Sequence, residues 1–320
     1  MANLQAAQAL LDLRPGHRLW PELPTPDDVE LDFGDGLRYA TQADEAQRVV
    51  PLENRQAVLD LMDSLLGPED WLLFVDPSVE RGPQGWYHAL KEQLGLKLYR
   101  LTPESTKELE AYLEDKPQIK AVFLPQLAPD SGEALDVEDL FFRVHSLRPD
   151  VARISDISYS LGLLPYYHTQ WQADLTLLAR PGTGYWAIGQ ALLPPFLSEG
   201  DAPITLLPYL QYASQRRLPN LWNDVHREAR AFRNFLSANG YSIVTQLTSD
   251  AITAFVPEAG LNNEQQNALL NHLHQEERIL LGAGQSIYRN PCLLVQHCPG
   301  QETPVQQRLR KALENAAAPS

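Results

Sequence analysis

Short, fully apolar segments alternate with helical segments over the first half of this chain. The apolar segments include residues 71–75 and 121–125, and residues 57–66 and 137–147 carry apolar side chains at helical spacing. Residues 151–157 are predicted to form a further buried strand. A strand that is apolar at every position, rather than at every second one, is typical of a sheet covered on both faces. The alternation therefore predicts an α/β fold with a mainly parallel sheet between two layers of helices.

The alternation of apolar strands and helices stops in the second half of the chain. Helical patterns at 206–214 and 221–239 are followed by strand-like segments at 241–244 and 251–256, which look antiparallel. Such an order indicates a smaller α+β unit. We therefore predict an irregular, proline-rich amino-terminal arm at residues 1–45, a large α/β domain at 46–216, and a linking helix with a small carboxy-terminal α+β domain at 217–320.

The formal net charge of −15 argues against nucleic acid and anionic membrane as partners, because both require a basic surface. No apolar run approaches the length of a bilayer span, and the amino terminus lacks the plan of a secretory signal. Cys292 and Cys298 do not form a C-x-x-C pair, so we expect no metal site. A cytoplasmic protein is the expectation from these features.

Asp156 is the most informative acidic residue, because it stands where a predicted buried strand ends. Ligands of α/β proteins lie beyond the carboxyl ends of the strands, so Asp156 is a candidate ligand group. A turn cap through its side-chain oxygen is the alternative interpretation. Residues 173–184 are predicted to form a second strand that runs into a glycine loop. The aromatic residues at 166–167 and 185–186 are predicted to line a pocket or to pack in the core.

Four regions, in order along the chain, share the sequence pattern of one enzyme family. They are residues 82–86 (GPQGW), 126–132 (QLAPDSG), 156–162 (DISYSLG), and the pair 279–284 (ILLGAG) and 297–300 (HCPG). They resemble segments of the class V aminotransferases, the alanine–glyoxylate and serine–pyruvate branch especially, which belong to fold type I of the enzymes that use pyridoxal phosphate (PLP). This resemblance implies a mainly parallel, seven-stranded sheet, a small α+β domain and a symmetric dimer.

The resemblance also locates the lysine that would form a Schiff base with PLP. In the family this lysine lies between an acidic residue that corresponds to Asp174 and a proline–glycine loop. Here residues 175–183 contain no lysine. Arg180 cannot replace it, because a guanidinium group stays protonated and is not a nucleophile.

Most of the other cofactor contacts implied by the resemblance are also missing. The phosphate seat falls on residues 51–55, where Pro51 has no N–H group and Glu53 would repel an anion. Gln84 stands where the resemblance implies the aromatic residue that stacks on the ring, and neighbouring Trp86 is its alternative. Ala128 and Pro129 stand where it implies a glutamate and a threonine. Leu294 stands where it implies the carboxylate-binding arginine, and Arg289 is nearby but out of register. Asp156, which would pair with the pyridine nitrogen, is retained.

We therefore expect a degenerate, non-catalytic relative that holds no PLP. It would act as a small-molecule binder or as a partner subunit, in a homodimer or in a complex with another enzyme. Its vestigial cleft is predicted to contain Asp156, Ser158, Gln84, Trp86, Gln126 and Arg180. Two alternatives stay open. One is an active PLP-dependent aminotransferase or lyase with an unrecognised lysine, and the other is a PLP-independent enzyme that uses Asp156, Ser158 and Arg180.

Overall fold

The computed structural model describes most of the chain. The described residues are 33–75, 86–128, 131–180, 184–195, 217–244, 251–275, 281–285, 290–297, 307 and 309–313. They contain two β-sheets, one of seven strands and one of four. In these ranges no helix is both long enough and apolar enough to cross a lipid bilayer.

The larger sheet has the strand order β1-β7-β6-β5-β4-β2-β3. Its strands are β1 Arg48–Leu52, β2 Trp71–Val75, β3 Lys97–Leu101, β4 Ile119–Pro125, β5 Ala152–Asp156, β6 Leu175–Arg180 and β7 Gly184–Gly189. The neighbouring pairs from β6 to β3 are parallel, whereas β7 is antiparallel to both β6 and β1. The mainly parallel α/β sheet predicted from the sequence is confirmed.

Helices connect these strands and cover both faces of the sheet. They are α1 Phe33–Thr41, α2 Arg55–Ser64, α3 Trp86–His88 with a following π-helical turn Ala89–Gln93, a 3-10 turn Pro103–Glu108 leading into α4 Leu109–Asp115, and α5 Val137–Leu147. Successive residues of β2 belong to different hydrophobic clusters, with Leu73 in one and Leu72 in the other. This two-sided burial explains why the strand is apolar at every position.

Two segments differ from their predictions. Residues 33–41, predicted to be part of an irregular arm, form helix α1, because the prolines of the arm all precede this segment and Leu37 and Ala40 are buried against the sheet. The glycine loop predicted after β6 continues into strand β7, because Trp186 and its neighbours are buried in ladders with β6 and β1. Residues 1–32 lie outside the described part of the chain.

The smaller sheet is antiparallel, with the order β10-β11-β9-β8. Its elements are the long helix α6 Leu218–Ala238, β8 Tyr241–Ile243, β9 Ile252–Pro257, helix α7 Asn263–Gln275, β10 Gly282–Gln285 and β11 Pro291–Gln296. A hydrophobic cluster joins Leu127 and Leu163, which follow β4 and β5, to Val225 and Ile252 of this part. The predicted helix at 206–214 lies outside the described residues.

Candidate functional site

The carboxyl ends of β4 and β5 lie side by side, because Pro125 pairs with Asp156 in the parallel ladder. The ladder continues for one more hydrogen bond, in which the backbone N–H of Gln126 donates to the carbonyl of Asp156 at 2.9 Å. Gln126 and Asp156 therefore stand together at the edge of the sheet where α/β proteins bind ligands. The sequence predicted both residues for this edge.

One carboxylate oxygen of Asp156 closes the turn that follows β5. Its Oδ1 accepts the backbone N–H of Ser158 at 2.9 Å and also the hydroxyl proton of Ser158. The Ser158 hydroxyl oxygen in turn accepts the backbone N–H of Ala179, on β6, at 2.7 Å. The turn-cap interpretation of Asp156 is therefore confirmed for this oxygen, and Ser158 links β5 to β6.

The second carboxylate oxygen of Asp156 is bound to a tryptophan. The indole Nε1–H of Trp86 donates to Oδ2 of Asp156, and the two atoms are 2.6 Å apart. The Trp86 ring makes an edge contact with Phe123, at 4.9 Å between ring centroids, and the Arg55 guanidinium lies 6.0 Å from its centroid. The sequence placed Trp86 in the cleft only as a stacking group and gave no signal for this hydrogen bond.

Burial has the largest effect on the electrostatics of Asp156, because this residue is only 4% exposed. Removal from water raises the pKa of the Asp156 carboxyl, because the charged form loses its hydration. Hydrogen bonds from Ser158 and Trp86 and the positive charge of Arg55 act in the opposite direction but leave the pKa above its ordinary value. Ser158 and Trp86 thus donate hydrogen bonds to the carboxylate, and burial makes its ionised form unfavourable.

Both polar atoms of the Gln126 side chain likewise form hydrogen bonds within the protein. Its Nε2 donates to the carbonyl of Pro165 at 2.8 Å, and its Oε1 accepts the hydroxyl proton of Ser160 at 2.5 Å. Gly162, in the same turn as Ser160, has a φ of +74°, a backbone conformation that favours glycine. The glycine of the DISYSLG segment is therefore explained by turn geometry.

The other predicted cleft residues are less well defined. Gln84 lies outside the described residues, and so do Pro129 and Arg289. The backbone of Arg180 pairs with Gly184 at the tip of the β6–β7 hairpin. The structure therefore brings together Asp156, Ser158, Trp86 and Gln126 and leaves two predicted members undescribed at the side-chain level.

The segment that the resemblance assigns to a phosphate group is a strand followed by a capped helix. Pro51 and Leu52 belong to β1 and pair with β7. Asn54 caps helix α2, and its side-chain oxygen accepts the backbone N–H of Ala57 at 3.1 Å. One of the amide groups at the helix start is therefore already satisfied by the chain itself.

The six lysines of the chain all lie in the described residues and outside strands β5, β6 and β7. Lys97 forms an ion pair with Glu69 at 3.0 Å, Lys120 with Asp150 at 3.7 Å, and Lys116 lies 5.9 Å from the ring centroid of Tyr99. Lys91, Lys107 and Lys311 are exposed. Residues 121–310 contain no lysine, and this range includes β5, β6 and β7.

A second buried polar cluster lies in the loop between β5 and β6. Nδ1 of His168 and the hydroxyl of Tyr166 both contact Oγ1 of Thr176, at 2.8 and 2.7 Å. Burial lowers the pKa of His168 to about 4, although Asp174 and Asp44 oppose the shift. Tyr166 belongs to the core, as does Trp186, so these two predicted pocket aromatics serve packing. Among the described side chains no group of three or more His, Cys, Asp or Glu could hold a metal ion.

Comparison with known proteins gives structural relatives but no sequence relatives. No protein-family model matches the chain, and no curated protein matches it. An alanine–glyoxylate aminotransferase from Nostoc sp. superposes with a TM-score of 0.70 at 16% identity, over 98% of this chain and 91% of that chain. A ureidoglycine–glyoxylate aminotransferase from Bacillus subtilis gives 0.69 at 12% identity, over 88% and 82%.

A third structural relative comes from a different activity class. It is a cysteine desulfurase from Escherichia coli, with a TM-score of 0.64 at 16% identity, over 98% of this chain and 91% of that chain. These proteins share the α/β fold of the PLP-dependent fold-type I aminotransferases with this chain, as the sequence predicted. At such identities the likeness concerns the fold.

Proposed function

We propose that this chain is an aminotransferase-like protein that has lost the Schiff-base lysine and most contacts to PLP, and that it acts without catalysis as a small-molecule binder or a partner subunit. One observation carries the proposal. The indole N–H of Trp86 occupies Oδ2 of Asp156, the carboxylate that the resemblance assigns to the pyridine nitrogen. The acceptor that PLP would require is bound by the protein's own side chain.

The residues present do not fit PLP. Oδ1 of Asp156 accepts two hydrogen bonds from Ser158 and Oδ2 accepts one from Trp86, so a pyridine N–H would have to share Oδ2 with the Trp86 indole. No lysine lies in residues 121–310 to form an imine. We therefore derive no reaction step through PLP.

The described residues also give little support to catalysis without PLP. The Ser158 hydroxyl donates to Asp156 and accepts from Ala179, so both of its functions are taken by structural hydrogen bonds. A nucleophilic serine needs an adjacent base that is free to take its proton, and a buried carboxylate already shared with Trp86 does not provide one. Binding or assembly therefore remains as the role that the fold supports.

Two forms of this role differ in their partners. In one, the chain forms a homodimer, the commonest state of soluble oligomers, and holds a small ligand. In the other, it associates with another enzyme in the cytoplasm. Light scattering of the purified protein, followed by purification from the native host, separates them. A stable dimer alone supports the first form, and a stoichiometric second protein supports the second.

The test of the proposal is a PLP titration. The protein is purified with added PLP, its absorbance spectrum is recorded, and the sample is treated with borohydride and weighed by intact mass spectrometry. We expect no imine band and no fixed adduct, whereas an active aminotransferase treated in parallel gives both. A stoichiometric adduct on a single lysine would establish the active-enzyme alternative and overturn the proposal.

A further inference from the structure

We propose that the exposed face of helix α5 binds a second copy of this chain, with the two helices antiparallel and Phe142 at the twofold axis. The inference rests on the homodimer form of the proposed function and adds the surface through which the two copies meet. It does not depend on the residues around Asp156.

Helix α5 has one face in the core and one in solvent. Val137, Leu140, Phe141 and Val144 are buried against the sheet and the neighbouring helix. Phe142 lies on the opposite face and is 70% exposed, the largest exposed fraction among the large apolar side chains that the structure describes. Because a phenylalanine ring gains free energy when it leaves water, covering Phe142 with a second protein surface is favourable.

Polar side chains surround Phe142 on this face. Glu138 and Asp139 precede it and are exposed, whereas the half-buried His145 and the exposed Ser146 follow it. Residues three and four positions apart lie on the same side of a helix, so these four are the neighbours of Phe142. The face is therefore acidic before Phe142, while residues 143–147 contain no acidic side chain.

His145 provides a hydrogen-bond donor on this face. Its Nδ1 lies 2.5 Å from Nη1 of Arg153, and because arginine can only donate, Nδ1 is the acceptor. The neutral ring therefore carries its proton on Nε2. Arg153 is itself fixed by an ion pair with Asp174, at 2.9 Å, and so holds the ring in place. The remaining polar group of His145 is an N–H donor.

An antiparallel pair of α5 helices brings complementary groups together. In a twofold-symmetric contact, residues equally far before and after the axis face each other. With the axis at Phe142, Asp139 of one copy faces His145 of the other, and Glu138 faces Ser146, each pair occurring twice. Carboxylate oxygens then meet N–H and O–H donors around two packed phenylalanine rings. Because the face is complementary to itself, a second copy of the chain is the partner that fits it.

The size of the face sets the strength of the association. Helix α5 has 11 residues and is about 16 Å long. Two such helices bury less than the roughly 800 Å² per partner of a standard stable interface. We therefore expect a dimer that dissociates on dilution, with a Kd of about 10 μM or weaker.

The experiment is sedimentation velocity of the full chain over a range of concentrations. Phe142→Asp removes the apolar centre and places two carboxylates at the axis, so the Kd should rise about tenfold or more. Ala268→Asp is the matched control, because it adds the same charge at an exposed position of α7. It should leave the Kd unchanged within about twofold. Circular dichroism confirms that each variant is folded.

A second pair of variants tests the register and keeps Phe142 in place. Ser146→Lys creates an ion pair with Glu138 of the other copy, and Ser146→Glu creates a repulsion. We expect Ser146→Lys to associate about tenfold more tightly than Ser146→Glu, since each change occurs twice in the dimer. Glu138→Lys combined with Ser146→Glu reverses both charges and should restore the association. Ala268→Lys and Ala268→Glu should differ by less than about twofold.

Each outcome decides the inference. A chain that stays monomeric at about 1 mM, or a dimer whose Kd Phe142→Asp leaves unchanged, overturns it. Equal association of Ser146→Lys and Ser146→Glu also overturns the antiparallel contact. These results leave the non-catalytic role intact. A borohydride-fixed PLP adduct in the unsubstituted protein would overturn that role and leave the α5 contact standing.

Discussion

Trp86 and Asp156 are 70 residues apart in the chain, yet the indole nitrogen of one lies 2.6 Å from a carboxylate oxygen of the other. The contact joins the first residue of α3 to the last residue of β5. It provides a donor for a buried carboxylate that would otherwise have one oxygen without a partner among the described residues. Such an oxygen is costly, because burial deprives it of water.

The first prediction concerns the coupling of these two residues. Trp86→Phe removes the N–H donor, and Asp156→Asn replaces one acceptor oxygen with an amide NH₂ group, so each variant should lose about 1–3 kcal/mol of unfolding free energy. The double variant should lose less than the sum, by about 1–2 kcal/mol, because the same hydrogen bond is lost twice in the sum. Urea denaturation measures all four proteins.

Trp222→Phe is the control for this cycle. Its indole nitrogen is buried without a hydrogen-bond partner among the described residues, so its loss should add independently to that of Asp156→Asn. Strict additivity for Trp86 as well would show that its bond to Asp156 contributes nothing measurable to stability.

The second prediction concerns Ser158. Ser158→Ala removes the hydroxyl that donates to Asp156 and accepts the N–H of Ala179. The N–H of Ala179 then loses its acceptor, so we expect a loss of about 1–3 kcal/mol in thermal or urea denaturation. Ser146→Ala, on the exposed side of α5, should change stability by less than about 0.5 kcal/mol. Equal effects of the two substitutions would rule out the bridging role.

The third prediction compares two glycines with the same backbone conformation. Gly132 and Gly240 have φ values of +74° and +75°, which strain any residue with a Cβ atom. A Cβ at Gly132 would also lie 3.1 Å from Cγ2 and 3.2 Å from the carbonyl oxygen of Ile252, whereas a Cβ at Gly240 meets nothing within 4 Å. Gly132→Ala should therefore cost more stability than Gly240→Ala, by about 1–3 kcal/mol. Equal melting temperatures would contradict the packing of Gly132 on β9.

The fourth prediction concerns pH. The pKa of His168 falls from 6.5 to about 4 in the folded protein because the ring is buried. Between these values the unfolded chain binds the proton and the folded chain does not, so stability falls as pH decreases from 6.5 towards 4. His297, whose pKa burial lowers to about 3, acts in the same direction. Asp156, whose pKa burial raises above 3.8, acts in the opposite direction at pH values above that number.

The contribution of His168 to this pH dependence amounts to about 3 kcal/mol when it is complete. His168→Gln should flatten the decline in unfolding free energy across this range, while His272→Gln, at an exposed position, should leave its slope unchanged. An unaltered slope in His168→Gln would mean that the ring is protonated in the folded protein.

The main elements of the fold could be predicted from local pattern. Strand β2 and helix α5 have the predicted bounds, because a run of apolar residues and a helical apolar spacing are properties of neighbouring residues. Strand β7 was missed, since a segment between two glycines gives no local sign that it pairs with β1 and β6. Helix α1 has no clear signal in the sequence, because the prolines before it predict an irregular arm.

The sequence predicts where the site lies in the fold, but not which side chains are hydrogen-bonded to one another there. The end of a strand located Asp156, and the following small residues indicated the cap through Ser158. The bond from Trp86 depends on how α3 packs against β4 and β5, and no local pattern encodes an angle between a side chain and a carboxylate 70 residues away. The same limit applies to Gln126, whose partners Pro165 and Ser160 lie in a distant loop.

The most direct test of the central claim is the ¹⁵N–¹H signal of the Trp86 indole in the protein, assigned by its loss in Trp86→Phe. A short bond to a buried carboxylate should move this signal strongly downfield among the six tryptophans and slow its exchange with water. Saturating PLP should leave it in place. An indole signal at the position of a solvent-exposed tryptophan, or one that PLP shifts, would contradict the claim that Trp86 occupies Asp156.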